Sequence, residues 1–270
     1  MILTVDIGNT SIACGLFDNE NLVKMFRMPS DVNLTTIDYG KLLSAEIGDR
    51  KLSGAIIGSV VEELNNRVQY AILAQYGVMS VILSYKSNMP IKLALQNNSE
   101  IGADRIANGV RGFELYKKAV IVVDFGTATT FDIVNSKGEF IGGLIAPGVG
   151  TQLKSLNIST SKLPEITVNS VDTAIGNNTK DAILAGVVRG TACMIDGMLT
   201  KAEEELGEKA KIIATGGYCE LISKYMTRKF DSICPHLTLE GLRDLFLLNK
   251  PTQPVYDTNE PSLATDPFTD

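Results

Sequence analysis

Two short segments, half a chain apart, repeat one pattern. Asp6-Ile7-Gly8-Asn9-Thr10 follows the apolar run Met1-Ile2-Leu3-Thr4-Val5, and Asp124-Phe125-Gly126-Thr127-Ala128-Thr129-Thr130 follows Ala119-Val120-Ile121-Val122-Val123. Each reads as a buried strand, a carboxylate at its end, a tight Gly turn and hydroxyl residues opening the next strand. Gly lets backbone N–H groups approach phosphate oxygens closely. The hydroxyls add donors, and a strand-end carboxylate suits a cation or its water. One such turn fits any hairpin. Two copies facing each other across a cleft are hard to explain by chance and point to a phosphate site in a duplicated chain.

Charge narrows the partners. The 270-residue chain carries a net charge of −6, which argues against nucleic acid or an anionic membrane. An acidic protein that holds phosphate must make its positive field locally, from backbone amides and a bound cation. Cys14, Cys193, Cys219 and Cys234 form no C-x-x-C pair and read as isolated reduced thiols. Asp6 interrupts the apolar N-terminus too early for a signal peptide. The longest apolar stretch, Ala182 to Leu199, contains Arg189 and Asp196 and reads as a packed helix, not a membrane span. The expectation is a cytoplasmic protein.

The pattern predicts strands over Ile12–Phe17 and Leu22–Met28, a helix over Thr35–Ile47, a strand over Ala55–Val60, a helix over Glu62–Gln75 and a strand over Val78–Leu83. In the second half it predicts strands over Ala119–Asp124, Thr130–Asn135 and Phe140–Ile145, long helices, and a strand over Lys211–Ala214. Strands alternating with helices imply an α/β fold with a largely parallel sheet covered on both faces. The expected division is an N-terminal half (1–116), a C-terminal half (117–250) and a mobile, proline-rich tail (251–270) without Lys or Arg.

Absences matter as well. No G-x-x-x-x-G-K-[ST] and no strand-to-helix G-x-G-x-x-G occurs. His236 is the only histidine and reads as a helix-entry residue, so acid–base work falls to carboxylates. The candidate base is Asp104 in Gly102-Ala103-Asp104-Arg105, with Arg105 suited to an anion. The alternative is that Asp104 merely caps a helix over Arg105–Tyr116. Thr215-Gly216-Gly217-Tyr218 would let a nucleotide lie against a helix start, or is a plain turn. Gly142-Gly143 through Pro147-Gly148 would wall the cleft, or is a stiff loop. Thr179, after Gly176-Asn177-Asn178, would bond a polar substrate, or cap a helix.

The paired turns resemble those of the duplicated ATPase core shared by actin, hexokinase and the heat-shock chaperones, which implies a duplicated ribonuclease H-like (actin-like ATPase) fold. A longer set looks like type III pantothenate kinase: Asp6-x-Gly-Asn-Thr10, Ser59-Val60-Val61, Gly102-Ala103-Asp104-Arg105, Asp124-x-Gly-Thr-Ala128, Gly142-Gly143 through Pro147-Gly148, Leu163-Pro164, Gly176-x-Asn-Thr179 and Thr215-Gly-Gly217. That resemblance implies phosphorylation of pantothenate by ATP with magnesium, a required monovalent cation (potassium or ammonium) and a homodimer. It implies that Asp6, Ile7, Gly8, Asn9, Thr10, Ser11, Ile12, Ala13 and Thr127 hold the ATP phosphates. Gly102, Ala103, Asp104, Arg105 and Thr179 would contact pantothenate, with Asp104 the general base and Asp124 the cation ligand. Two positions depart from the family pattern: Leu95 stands where a substrate-contacting Tyr is common, and Glu62 where a Pro follows Ser-Val-Val. Another small-molecule kinase of this superfamily, or a non-catalytic nucleotide-binding regulator, is the alternative.

Overall fold

The computed structural model describes residues 1–159 and 163–250, so the expected tail lies outside the described residues. The chain builds the same sheet twice. In the first half β1 (Ile2–Ile7), β2 (Ser11–Asp18) and β3 (Asn21–Pro29) form an antiparallel meander. α1 (Thr36–Ile47) follows, then β4 (Gly54–Ser59), α2 (Glu62–Tyr76) and β5 (Ser80–Ile82), with β4 and β5 parallel to β1. The order is β3-β2-β1-β4-β5. Next come β6 (Lys92–Leu93), a 3₁₀ turn at Asn98–Glu100 and α3 (Ala103–Tyr116).

In the second half β7 (Val120–Phe125), β8 (Ala128–Val134) and β9 (Glu139–Pro147) repeat the meander, and α4 (Val149–Ile158) follows. The helical run α5 (Thr179–Leu184), a π-turn at Ala185–Arg189 and α6 (Gly190–Leu206) leads to β10 (Lys211–Gly216). α7 (Cys219–Ser223), β11 (Ser232–Ile233) and α8 (Leu237–Leu248) complete the described chain. The order is β11-β10-β7-β8-β9-β6. Without β6 it is the first sheet again, β9-β8-β7-β10-β11 matching β3-β2-β1-β4-β5 one for one.

Three apolar cores make five layers. One lies under α1 and α2 and holds Leu3, Val5, Ile7 and Ile12, and one lies under α4 to α7 and holds Ile121, Val123, Phe125 and Phe131. The third fills the space between the sheets, where Ile2, Ile56, Val120, Val122 and Val134 meet Ile106 and Val110 of α3 and Leu242 and Phe246 of α8. Strand alternation explains the division, since successive residues of β1 and β7 point to opposite faces. Ile2 and Val120 face the middle layer, so four residues later Asp6 and Asp124 come out on that side too.

The predicted elements stand, with local differences, but the sheets are mixed and not largely parallel, because each half opens with an antiparallel meander. Thr35 is the N-cap of α1, in a capping box with Asp38, rather than its first helical residue. α3 begins at Ala103, two residues earlier than expected. β5 is three residues long, and β6 pairs with β9 of the other half. Two-residue β6 has too little pattern to be read from sequence. Among the described residues one helical run, Thr179–Leu206, is long and apolar enough to cross a membrane, with mean hydropathy 1.5. It packs Leu184, Val188, Ala192, Ile195 and Leu199 into the outer core of the second sheet, as a core helix does. Of the small residues expected to allow close helix packing, Ala192 is buried within the chain, while Gly186 and Gly190 face open space.

α3 and α8 touch backbone to backbone. A Cβ at Gly241 would overlap the Ala107 carbonyl, and one at Gly54 would overlap the Phe246 ring. Gly→Ala inside a helix normally stabilises by up to about 1 kcal/mol. At Gly241 the obstacle is backbone that cannot rotate away, and such overpacking costs about 1–3 kcal/mol. Gly241→Ala should therefore lower the urea midpoint at an unchanged slope. A raised midpoint would show that the helices separate freely.

Candidate active site

The ends of β1 and β7 and the start of α3 converge on one cleft with a volume of about 900 Å³. Its walls include Asp6, Gly8, Asn9, Thr10, Ser11, Ala13, Asp104, Asp124 and Thr127. Both Gly turns are tight: Gly8 N–H donates to Ser11 O (3.2 Å) and Gly126 N–H to Ala128 O (3.0 Å). They touch across the cleft, where the Thr10 and Thr127 hydroxyls lie 2.9 Å apart. Thr215, Gly216, Gly217 and Tyr218, from the end of β10, line the same cleft.

Other expected residues lie elsewhere. Ile7 and Ile12 pair across the β1–β2 hairpin with side chains in the outer core, so only their backbone borders the turn. Gly102 is the N-cap of α3, and Ala103 is buried against the middle layer. Thr179 opens α5 after the N-cap Asn178 and is not among the residues lining the cleft. Asp104 lies in the first turn of α3, beyond the cap, and its Oδ1 accepts the Arg105 N–H at 2.8 Å.

Arg105 turns into the protein. Its Nε donates to Asp132 Oδ1 at 2.6 Å, its Nη2 donates to Phe131 O at 3.1 Å, and its guanidinium stacks on Phe140. Gly143 makes room, because a side chain there would overlap both that guanidinium and the Phe131 carbonyl. Gly142 and Gly143 thus lie inside β9 and admit Arg105, rather than forming a loop. Asn108, one turn along α3 from Asp104, donates to Asp124 Oδ2 (3.1 Å) and Asp132 Oδ2 (3.3 Å) and accepts from the Thr238 hydroxyl of α8 (2.8 Å). Asp132, Asn108, Thr238 and Arg27 escaped the sequence reading. Asp132 had a signal, a charge between Phe131 and Ile133 of an apolar strand, and the spacing of Asn108 from Asp104 was another.

Burial raises the proton affinity of these carboxylates, and the Asp104 charge adds to it at Asp6, Asp124 and Asp132. Asp6 is pushed up to about 8, first by burial, then by the charges of Asp104 and Asp124, with Arg27 opposing. Asp124 rises to about 6 through burial, against the Asn108 hydrogen bond. Asp132 rises to about 7 through burial, against the Arg105 charge. Burial raises Asp104 as well, opposed by the Arg105 N–H and guanidinium. His236, the N-cap residue of α8, borders the cleft with its Nδ1 buried and unbonded.

A family model described as type III pantothenate kinase matches residues 2–201. The chain belongs to the type III pantothenate kinase family. Among its relatives, the type III pantothenate kinase of Geobacter sulfurreducens (strain ATCC 51573 / DSM 12127 / PCA) is 38% identical over 257 residues, covering 93% of this chain and 100% of the relative. That of Moorella thermoacetica (strain ATCC 39073 / JCM 9320) is 38% identical over 256 residues, covering 92% and 100%. Solved structures share the fold. A Baf family protein of Campylobacter jejuni superposes with a TM-score of 0.57 at 22% identity, covering 91% of this chain and 97% of that one. The ethanolamine utilization protein EutJ of Carboxydothermus hydrogenoformans does so with a TM-score of 0.51 at 16% identity, covering 89% and 88%.

The carboxylate cluster sets a pH dependence. Asp6 has a raised proton affinity in the folded state, from 3.8 to about 8. Its contribution to stability is therefore complete below pH 3.8 and lost as pH rises through about 8. Asp6→Asn removes that loss. In ligand-free protein the melting temperature of the variant relative to wild type should climb between pH 5 and pH 8.5, spanning the Asp6 transition. A constant difference across that range would show that Asp6 ionises without penalty.

Proposed function

We propose that this protein transfers the γ-phosphoryl group of ATP to the primary hydroxyl of pantothenate, giving 4′-phosphopantothenate in the first step of coenzyme A biosynthesis. The observation that carries this reading is the position of Asp104. It is a carboxylate of raised proton affinity, at a helix start, in the cleft between two phosphate-type turns. The residues from Asp6 to Ala13, with Thr127, hold the ATP phosphates, and the Thr10 and Thr127 hydroxyls exchange their mutual bond for phosphate oxygens. Asp104 accepts the proton of the attacking hydroxyl. Gly102, Ala103 and Arg105 border the acceptor, and Thr179 reaches it near the subunit interface of a homodimer. The exposed face of the 179–206 helical run, where Gly186, Gly190 and Gly197 have nothing within 4 Å of a built Cβ, supports that dimer.

The residues fit a monovalent cation. Asn108 fixes Asp124 Oδ2, so Oδ1 is left to serve as a ligand. Among the described residues no cluster of three or more His, Cys, Asp or Glu is arranged to hold a metal. One carboxylate completed by backbone, water and phosphate oxygens suits potassium or ammonium. Bound there, the ion offsets the repulsion between Asp124 and the phosphates, and magnesium enters with ATP. The chain's own contribution is positioning and electrostatic stabilisation. We assign the protein to the cytoplasm, with halves at 1–116 and 117–250 bracketing the cleft.

ADP release coupled to pantothenate, with and without potassium or ammonium, tests the activity. Asp104→Asn tests the base. Asn still accepts the helix N–H, so the melting temperature should hold while turnover falls by roughly two to four orders of magnitude. Normal turnover in Asp104→Asn, with stability lost only in Asp104→Ala, would reduce Asp104 to a helix-end residue.

A further inference from the structure

Among the described residues, an arginine lies in this cleft without an ion pair. Arg27 stands on β3, opposite Ala13 of β2, and lines the same wall as Asp6, Ser11 and Asp124. Its one side-chain hydrogen bond among the described residues is Nη1 to the Ser11 hydroxyl, at 3.0 Å. Arg105, Arg111, Arg228 and Arg243 pair with carboxylates, whereas Arg27, which lines the cleft, has none within ion-pair distance among the described residues. Its charge nevertheless acts on Asp6 and Asp124, lowering the proton affinity of both. The guanidinium is anchored by a neutral hydroxyl next to the first phosphate-type turn, with its other N–H donors unspent. The other cationic side chain lining the cleft among the described residues, Lys154, stands on α4, with the opposite half.

We propose that Arg27 is a further catalytic residue, whose guanidinium contacts the equatorial oxygens of the phosphoryl group in flight. This rests on the phosphotransfer reading above. Negative charge spreads over those oxygens in the transition state, and a forked cation held beside them stabilises it more than the ground state. The need is acute here, because Asp6, Asp104 and Asp124 all present negative charge to the same space. Arg27 offsets that field from the first-half wall. Asp104 serves the acceptor side, and Arg27 serves the donor.

The test uses the full chain with Arg27→Met, Arg27→Lys and Arg27→Ala, and reads turnover, melting temperature and nucleotide binding. Arg27→Met should lose roughly 10²–10³-fold in turnover, the usual effect of removing one transition-state donor, at an unchanged melting temperature. Binding of a non-hydrolysable ATP analogue should weaken while ADP binding stays within about threefold. Arg27→Lys should recover part of the rate, because charge returns without the fork, and added guanidinium ion should partly restore Arg27→Ala. Turnover within about threefold of wild type in Arg27→Met, or equal weakening of ADP and the analogue, would overturn the assignment. If wild-type protein fails to phosphorylate pantothenate, the substrate reading falls, and the contrast between analogue and ADP still decides the role of Arg27.

Discussion

The burial of three carboxylates in one cleft governs this molecule. Asp6 and Asp124 leave the ends of two equivalent strands, and Asp104 enters from the first turn of α3, so that all three border one cleft. Each is pushed toward its protonated form, and burial is the first cause in every case. Only part of that strain is relieved within the chain. The helix start and the Arg105 N–H favour a charged Asp104, Asn108 steadies Asp124, and Arg27 opposes from β3. The remainder falls to cations that enter the cleft, and in the proposed reaction these arrive with the nucleotide.

The middle layer makes the cluster possible. α3 and α8 lie between two sheets of the same topology, close enough that Gly241 admits no side chain. A single buried network ties them to the second sheet, running from Thr238 through Asn108 to Asp124 and Asp132, and from Asp132 to Arg105. Asp132 is 0% exposed and Arg105 17%. Losing one partner of such a pair leaves a stranded charge and costs about 3–5 kcal/mol. The network is therefore structural support for the three carboxylates as much as a member of the site.

The duplication was legible because its signal is local and repeated: a mainly apolar run, a strand-end Asp, a Gly turn, hydroxyls. Period-two alternation then placed Asp6 and Asp124 on the middle-layer face. Other features depend on pairings between distant residues. β6 exists only because β9 is beside it, and Gly143 is explained by a guanidinium 38 positions earlier, at Arg105. Arg27 sat unnoticed in an apolar strand, since its meaning comes from the β2–β3 register that sets it opposite Ala13. Thr179 shows the reverse case. A capping motif marked it plainly, yet it stands apart from the cleft within one chain.

The proposed reaction predicts that Asp6, raised to about 8, still holds part of its proton in the free protein at pH 8 and yields it to the cations that arrive with nucleotide. Calorimetric titration of ATP into the protein at pH 8, repeated in buffers of different ionisation enthalpy, counts the protons exchanged. Without potassium and magnesium the added phosphates should deepen the repulsion and draw protons in. With both cations present that uptake should shrink or reverse to release. A proton count that is the same with and without the cations would contradict the account.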